Sequence, residues 1–346
     1  MIYGANGYTG EITARQAVRD GLRPILAGRN REKIENLGHE LDLETRVFAL
    51  DDPASIDKNL GSVNAVLHCA GPFSHTAQPM AEACMRNRVH YLDITGEIGV
   101  FESMARRSDK AKEAGVVLLP GVGFDVVPTD CLAAHLKQRL PTATRLTLAL
   151  YNIGGISRGT MLTAFEGMLQ NGAVRRDGKI LRVPTAWRTR QIDFGRGAVK
   201  CVTIPWGDVS TAFHSTGIPN IEVYSAFPES MQRFMVASRY VGGVLASSPV
   251  QNFLKHQIET RITGPTAQER ERGLSLVWGQ AEDNAGNRVT ARMKTREGYA
   301  LTVMTSLEAV RRVLAGKVEP GFQTPSRAFG ADFITEFTGV TREDVE

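Results

Sequence analysis

An α/β chain is predicted from three observations. Strand-like apolar segments alternate with helical patterns over the first 130 residues, and a glycine-rich turn, Gly4-Ala5-Asn6-Gly7-Tyr8-Thr9-Gly10, joins the first strand to the first helix; beyond Pro141 the texture shifts to longer strands and hairpins. Regular alternation with short connections is the pattern of a parallel sheet covered by helices on both faces. The expected architecture is a Rossmann-type doubly wound parallel sheet in residues 1–130 and a second, mixed α/β domain for substrate and dimerisation in residues 131–297. A C-terminal segment, residues 298–346, is expected to pack back on the first domain.

Each element has its own signal. Met1 to Tyr3 is a short apolar strand, Thr9 to Arg19 a helix that closes at Gly21, and Arg23 to Ala27 the second strand. Asn30 stands where a helix needs an N-cap, and Ile34, Leu37 and Leu41 share one face of that helix. Arg46 to Leu50 is the third strand, followed by Asp52-Pro53, a cap with proline at the first helical position. Ala65 to Cys69 runs into Ala70-Gly71-Pro72-Phe73 and a helix from Thr76 to Arg88. Val89 to Ile94 runs into Thr95-Gly96-Glu97 and a helix ending at Gly115. Val116 to Leu119 ends in Pro120-Gly121-Val122-Gly123-Phe124-Asp125.

In the second region the better strands are Arg145 to Tyr151, Ala198 to Ile204, Ile221 to Ala226, Leu274 to Ala281 and Arg288 to Thr295. The last two flank the hairpin turn Asp283 to Asn287. Tyr299 to Leu314 reads as a strand passing into a helix, and Thr324-Pro325 opens a last helical stretch. Pro228 to Ile258 is moderately amphipathic and supports two readings, helices packed within the domain or across a dimer, and a weak peripheral contact with a lipid surface or hydrophobic substrate.

The glycine turn carries the first chemical implication. Its G-x-x-G-x-x-G spacing is a variant of the dinucleotide fingerprint: the first glycine permits the bend, the second lets backbone approach a pyrophosphate, and the third lets helix and strand pack closely. Backbone N–H groups at the helix start then face the phosphates. The discriminating residue lies 19 positions after Gly10, where an NAD-binding chain would carry an acid for the ribose 2′-OH; here it is Arg29, with Asn30, Arg31 and Lys33 beside it. An arginine there accommodates a 2′-phosphate, so NADP(H) is the expected cofactor.

Other functions are argued against. The 41 basic and 37 acidic residues give a formal charge of +4, too small and dispersed to point to nucleic acid. Cys69, Cys84, Cys131 and Cys201 form no C-x-x-C pair and no cluster with histidine, so no metal site or disulfide framework is expected and a reducing cytoplasm fits. Glycines and polar residues from position 4 onward argue against a signal peptide, and no apolar run of about 18 residues could span a bilayer. There is no Tyr-x-x-x-Lys where a short-chain dehydrogenase would need it and no G-x-S-x-G elbow. His68, inside a strand, reads as a satisfied core residue, and His75 as a weak acid/base candidate.

The motifs Gly4 to Gly10, Ala27-Gly28-Arg29-Asn30-Arg31-Glu32-Lys33, Cys69-Ala70-Gly71-Pro72-Phe73, Asp93-Ile94-Thr95-Gly96-Glu97 and Gly123-Phe124-Asp125-Val126-Val127-Pro128-Thr129-Asp130 resemble the saccharopine dehydrogenase-like oxidoreductases, most of all the branch of trans-acting enoyl reductases. The resemblance is dense over residues 1–130 and returns in Glu297-Gly298-Tyr299 and Thr324-Pro325-Ser326. Between them it rests mainly on Ser157-Arg158-Gly159-Thr160. The family usually has a few more residues ahead of the first strand, so Met1 is expected to be an internal methionine or an early start.

The resemblance implies NADP(H) binding and hydride transfer. It places Gly4, Asn6, Gly7, Tyr8, Thr9 and Gly10 at the phosphates, Arg29, Asn30 and Lys33 at the 2′-phosphate, and Ala70, Gly71, Pro72 and Phe73 along the ribose and nicotinamide. Glu97 and Asp125, at the ends of the next strands, are the catalytic candidates, although both also suit helix caps. Three functions remain open: reduction of an enoyl C=C on an acyl substrate, free or bound to a carrier protein; reduction of an imine or ketone on an amino-acid-like substrate; and non-catalytic NADP(H) sensing. A homodimer is expected.

Overall fold

The computed structural model describes residues 1–153, 171–245 and 264–345, with residues 161 and 257 between them. Two compact units result, Met1–Val127 with Tyr299–Phe329, and Pro128–Gly298 with Gly330–Glu346. Residues 298–346 therefore divide: most of the first part completes unit 1, and the remainder joins unit 2.

Unit 1 is a seven-stranded, wholly parallel sheet. Its strands are β1 (Ile2–Tyr3), β2 (Leu26–Gly28), β3 (Thr45–Val47), β4 (Ala65–His68), β5 (His90–Asp93), β6 (Val117–Leu119) and β15 (Gly321–Phe322), in the order β15-β6-β5-β4-β1-β2-β3. The strands read as nearly continuous apolar runs because both faces are covered. In β4, Val66 joins a cluster with Tyr3, Tyr91, Met80 and Leu118, while Ala65 and Leu67 join the opposite cluster with Leu92, Leu119 and Val313. Strand order reverses direction between β1 and β4, and ligands of such sheets bind outside the strand C-termini at that point.

The covering helices are α1 (Tyr8–Arg19), α2 (Arg31–Leu41), α3 (Pro53–Leu60), α4 (Phe73–Asn87), α5 (Ile98–Ala105) and α6 (Ser108–Ala114). Asn30 and Asp52 cap α2 and α3 as expected, accepting from the N–H groups of Lys33 and Ala54. Three expectations differ from the structure, the first being the single helix expected after Glu97 and ending at Gly115, which is two, α5 and α6, parted at Arg106-Arg107. The helix expected from Thr76 begins at Phe73, because a carboxylate distant in sequence caps it. Tyr299 to Leu314 contains no strand: α11 spans Gly298–Leu314 and buries Leu301, Thr302, Val303, Thr305 and Leu307 on unit 1, so burial overrides the β-branched run at its start.

Among the described residues, unit 2 is built on a nine-stranded mixed sheet. Its strands are β7 (Arg145–Ile153), β8 (Gly172–Arg176), β9 (Lys179–Val183), β10 (Thr189–Asp193), β11 (Ala198–Thr203), β12 (Asn220–Ala226), β13 (Leu274–Glu282), β14 (Arg288–Arg296) and β16 (Thr341–Val345). The main path runs β10-β11-β12-β7-β13-β14-β16, and the β13–β14 hairpin turns where Asp283 accepts from the N–H groups of Ala285 and Asn287. The β8–β9 hairpin turns on Asp177-Gly178, both at positive φ, the conformation that favours this dipeptide.

Helix α7 (Val127–Arg139) leads into this unit, which also holds α8 (Asp208–Thr216), α9 (Glu229–Leu245) and α10 (Ala267–Arg272); α12 (Pro325–Phe329) belongs to unit 1. Gln232, Met235 and Ser238 form the buried stripe of α9, while Met231, Phe234 and Val236 are exposed. The Ser157-Arg158-Gly159-Thr160 motif lies outside the described residues, as does part of the stretch Pro228 to Ile258. Among the described residues no helix is long and apolar enough to cross a membrane, and no three or more His, Cys, Asp or Glu side chains converge as a metal site.

Candidate functional site

The loops at the C-terminal edge of the unit 1 sheet build the site, beginning with the glycine turn. Gly4 has φ +81° and a Cβ there would stand 2.8 Å from both Cβ and N of Ala70, so only glycine allows β1 to turn this close to the end of β4. A Cβ at Gly10 would stand 2.2 Å from the Gly4 carbonyl oxygen, so α1 packs directly on the turn. Gly7 differs from both. It is exposed, and the one neighbour of a Cβ there would be the Gly4 oxygen at 3.2 Å. Side chains leave this approach open, and Gly7 is the N-cap of α1 with no side-chain cap bond.

Asn30, Asp52 and Glu97 cap the first turns of α2, α3 and α4, whereas α1, α5 and α6 begin without a side-chain cap; of these three, α1 is set apart by the glycine turn that leads into it. Backbone N–H groups and the helix dipole favour an anion at such an end. Tyr8 and Thr9 occupy the first turn, both half-buried; the Tyr8 ring meets Tyr299 edge-on at 4.9 Å, and the Thr9 carbonyl accepts from the Thr13 hydroxyl.

At the end of β2, a Cβ at Gly28 would meet Asn6 Oδ1 at 2.8 Å, so the Asn6 side chain of the glycine turn lies close against the strand that delivers Arg29. Asn30 spends its side chain on the α2 cap. Arg29 and Lys33 are exposed, and neither side chain has an ion-pair partner among the described residues. Neighbouring cations are paired: Arg31 with Glu35, Arg15 with Glu11 and Glu40, and Arg23 with Asp42. No carboxylate stands at the position that would hold a ribose 2′-OH.

On the other side of the switch point, β4 leads into Ala70-Gly71-Pro72-Phe73. Gly71 is exposed, and a Cβ there would meet nothing closer than the Phe73 ring at 3.6 Å. Glu97 fixes this loop: its Oε1 accepts from the Phe73 N–H and its Oε2 from the Ser74 N–H, each at 2.8 Å. The Glu97 N–H donates in turn to Thr95 Oγ1. Asp93 is fully buried, with Oδ1 accepting from the N–H groups of Thr95 and Gly121, both at 2.9 Å, and Oδ2 from the Tyr91 hydroxyl at 2.7 Å. Burial raises its pKa to about 6 against the opposing effect of these donors.

Asp125 sits where β6 leads toward α7, packed on Gly96, whose Cβ would meet Asp125 Oδ2 at 3.0 Å. It is half-buried, and removal from water raises its carboxyl pKa to about 7. The adjoining backbone is held by α11: Thr302 Oγ1 accepts from the Phe124 N–H at 2.9 Å, and the Thr305 hydroxyl donates to the Val122 carbonyl at 2.7 Å. Local sequence gave no sign of these two threonines as supports of the site. His75 is exposed on the first turn of α4.

These residues fit a dinucleotide. The turn provides a bend, an open approach and a close helix contact at its three glycines, an uncapped helix start faces the switch point, and two uncompensated cations stand at the end of β2. Fold and site define a Rossmann-type unit whose glycine turn and switch point are arranged as in dinucleotide-binding domains. Residues 1–119 match the saccharopine dehydrogenase NADP binding domain family. The chain is 29% identical over 203 residues to the saccharopine dehydrogenase-like oxidoreductase of Mus musculus, covering 51% of this chain and 47% of that protein. It is 27% identical over 200 residues to the trans-acting enoyl reductase of Mycobacterium leprae (strain TN), covering 54% of this chain and 47% of that one. The chain thus matches about half the length of these curated relatives. Among solved structures, the apo saccharopine dehydrogenase (L-Glu forming) of Saccharomyces cerevisiae shares the fold with a TM-score of 0.66 at 11% identity, over 100% of this chain and 99% of that one. Over about half its length, the chain is similar to the saccharopine dehydrogenase-like oxidoreductases at modest identity.

Proposed function

We propose that the protein is an NADP(H)-dependent reductase acting on an enoyl C=C bond of an acyl substrate. The observation that carries the cofactor choice is the pair of exposed, ion-pair-free cations Arg29 and Lys33 at the end of β2, with no carboxylate in the ribose position. A 2′-phosphate there gains charge-assisted hydrogen bonds that a 2′-OH cannot offer. The likeness to the trans-acting enoyl reductase of M. leprae supports the choice of reaction. The imine or ketone alternative would need paired cations for substrate carboxylates. Of Arg158, Arg188, Arg190 and Arg196, the first lies outside the described residues, Arg188 is bound to Glu222, Arg190 to Gln280 and Thr147, and Arg196 is exposed between β10 and β11.

A bound reduced nicotinamide supplies hydride. The chain's part is to hold the pyrophosphate at the α1 start, the 2′-phosphate at Arg29 and Lys33, and the nicotinamide half along Ala70 to Phe73. Reduction of a C=C also requires a proton, and a carboxyl whose pKa lies near 7 can both hold and release one at neutral pH. We assign that proton to Asp125. Glu97 has both oxygens engaged by backbone N–H groups and is assigned to positioning the Phe73–Ser74 turn.

Titration of NADPH and NADH by fluorescence tests the cofactor, and NADPH oxidation with enoyl thioesters against keto acids plus amines tests the reaction. Turnover of the keto acids and not of the thioesters would replace the enoyl reading with the imine one. Equal affinity for the two cofactors would remove the role of Arg29.

A further inference from the structure

His68 ends β4 and is fully buried, its ring lying 5.4 Å from Tyr3, 5.5 Å from Phe73 and 6.0 Å from Tyr91 between centroids. Its Nε2 is 3.0 Å from the hydroxyl of Thr76 on the first turn of α4. That hydroxyl is also 2.6 Å from the Ala70 carbonyl oxygen and 3.1 Å from that of Pro72. A hydroxyl carries one proton, and carbonyls only accept. The Thr76 proton therefore goes to a carbonyl, the nearer being Ala70, and His68 must donate from Nε2. This fixes the imidazole as the neutral Nε2–H tautomer, with Nδ1 unprotonated, buried and without a hydrogen-bond partner among the described residues. Burial pushes its pKa down to about 3, so the ring stays neutral at physiological pH.

We infer that His68 and Thr76 are positioning residues for the nicotinamide half of the cofactor, acting through a one-way relay from His68 Nε2–H to the Thr76 hydroxyl to the Ala70 carbonyl. Ala70 is the residue against which Gly4 of the dinucleotide turn packs, so the relay sets the spacing between the two loops that flank the switch point. An unpaired buried Nδ1 is costly, yet the same ring makes a bond that holds this loop. The inference rests on the reading that Ala70 to Phe73 line the nicotinamide half.

Two probes separate the halves of the site: adenosine 2′,5′-bisphosphate, which carries the 2′-phosphate and no nicotinamide, and NADPH. Thr76→Val keeps the side-chain shape and removes the hydroxyl; His68→Phe keeps a ring and removes the donor. Both are expected to bind the bisphosphate within about twofold of wild type and NADPH about tenfold more weakly, the size of one net hydrogen bond. Thr76→Ser, which retains the hydroxyl, is expected to restore NADPH affinity. Thermal melts of each variant identify any that fail to fold, and Thr76→Val stands as the test if His68→Phe does. Equal weakening of both probes, or of neither, would overturn the relay. Failure of wild type to bind NADPH would instead overturn the dinucleotide reading and the relay with it.

Discussion

The three glycines of the turn divide their labour in a way that substitution separates. At Gly10 a methyl group would stand 2.2 Å from the Gly4 carbonyl oxygen and 2.9 Å from the Ala5 Cα, both backbone atoms that cannot rotate away. Gly10→Ala gains up to about 1 kcal/mol of helix propensity, but overpacking typically costs about 1–3 kcal/mol and the contact here is severe. A net loss of about 2 kcal/mol is expected, lowering the melting temperature by about 4–8 °C for a unit of this size.

Gly7→Val meets one atom, the Gly4 oxygen at 3.2 Å, at an ordinary negative φ. Its effect on stability is expected to stay within about 1 kcal/mol, the scale of an N-cap change. Its branched side chain, however, fills the approach to the α1 start. Displacing one charge-assisted phosphate bond costs about 1.5–3 kcal/mol, so NADPH affinity should fall about ten- to a hundredfold. Calorimetric melts and NADPH fluorescence titration on both variants check this. A Gly7→Val protein that binds NADPH like wild type would refute the phosphate placement, and a Gly10→Ala protein that melts with wild type would refute the packing argument.

Further outcomes are expected. Wild type should bind NADPH at least about tenfold more tightly than NADH, about 1.4 kcal/mol, and Arg29→Asp should reverse much of that preference in the same titration. The raised pKa of Asp125, about 7, means that the folded state holds more protons than the unfolded chain between about pH 4 and 7. Stability should therefore fall as pH rises through that window. Asp125→Asn should flatten this decline in pH-dependent melts, and it should also remove the loss of kcat/KM above pH 7 expected as the wild-type acid ionises. Glu97→Gln replaces one accepting oxygen with a donor, leaving one of the two α4 N–H groups unpaired. Denaturant unfolding should show a loss of about 1 kcal/mol, typical of a lost cap, and turnover should drop less than in Asp125→Asn.

Sequence alone determined what short stretches of chain can encode. The alternation of apolar strands and amphipathic helices fixed a doubly wound sheet, because each segment carries its own period and caps, as Asn30 and Asp52 do for α2 and α3. The glycine turn was legible because φ and close-contact requirements act within a few residues, and Arg29 because it follows that turn at a set distance. Asp177-Gly178 carried an equally local signal, although the hairpin it makes was not among the expected strands. Tertiary structure decided the rest. The sheet gains its last strand from Gly321–Phe322, more than 200 residues beyond β6. Thr302 reaches Phe124 across 178 positions of sequence, and Glu97 caps a helix that begins 24 residues earlier. Buried donors and acceptors must be paired, but which partner arrives depends on how the sheet brings distant segments together. Position alone allowed Glu97 to be a cap, but no local pattern records that the helix it caps is the preceding one, α4, or that a strand histidine reaches a hydroxyl of that same helix.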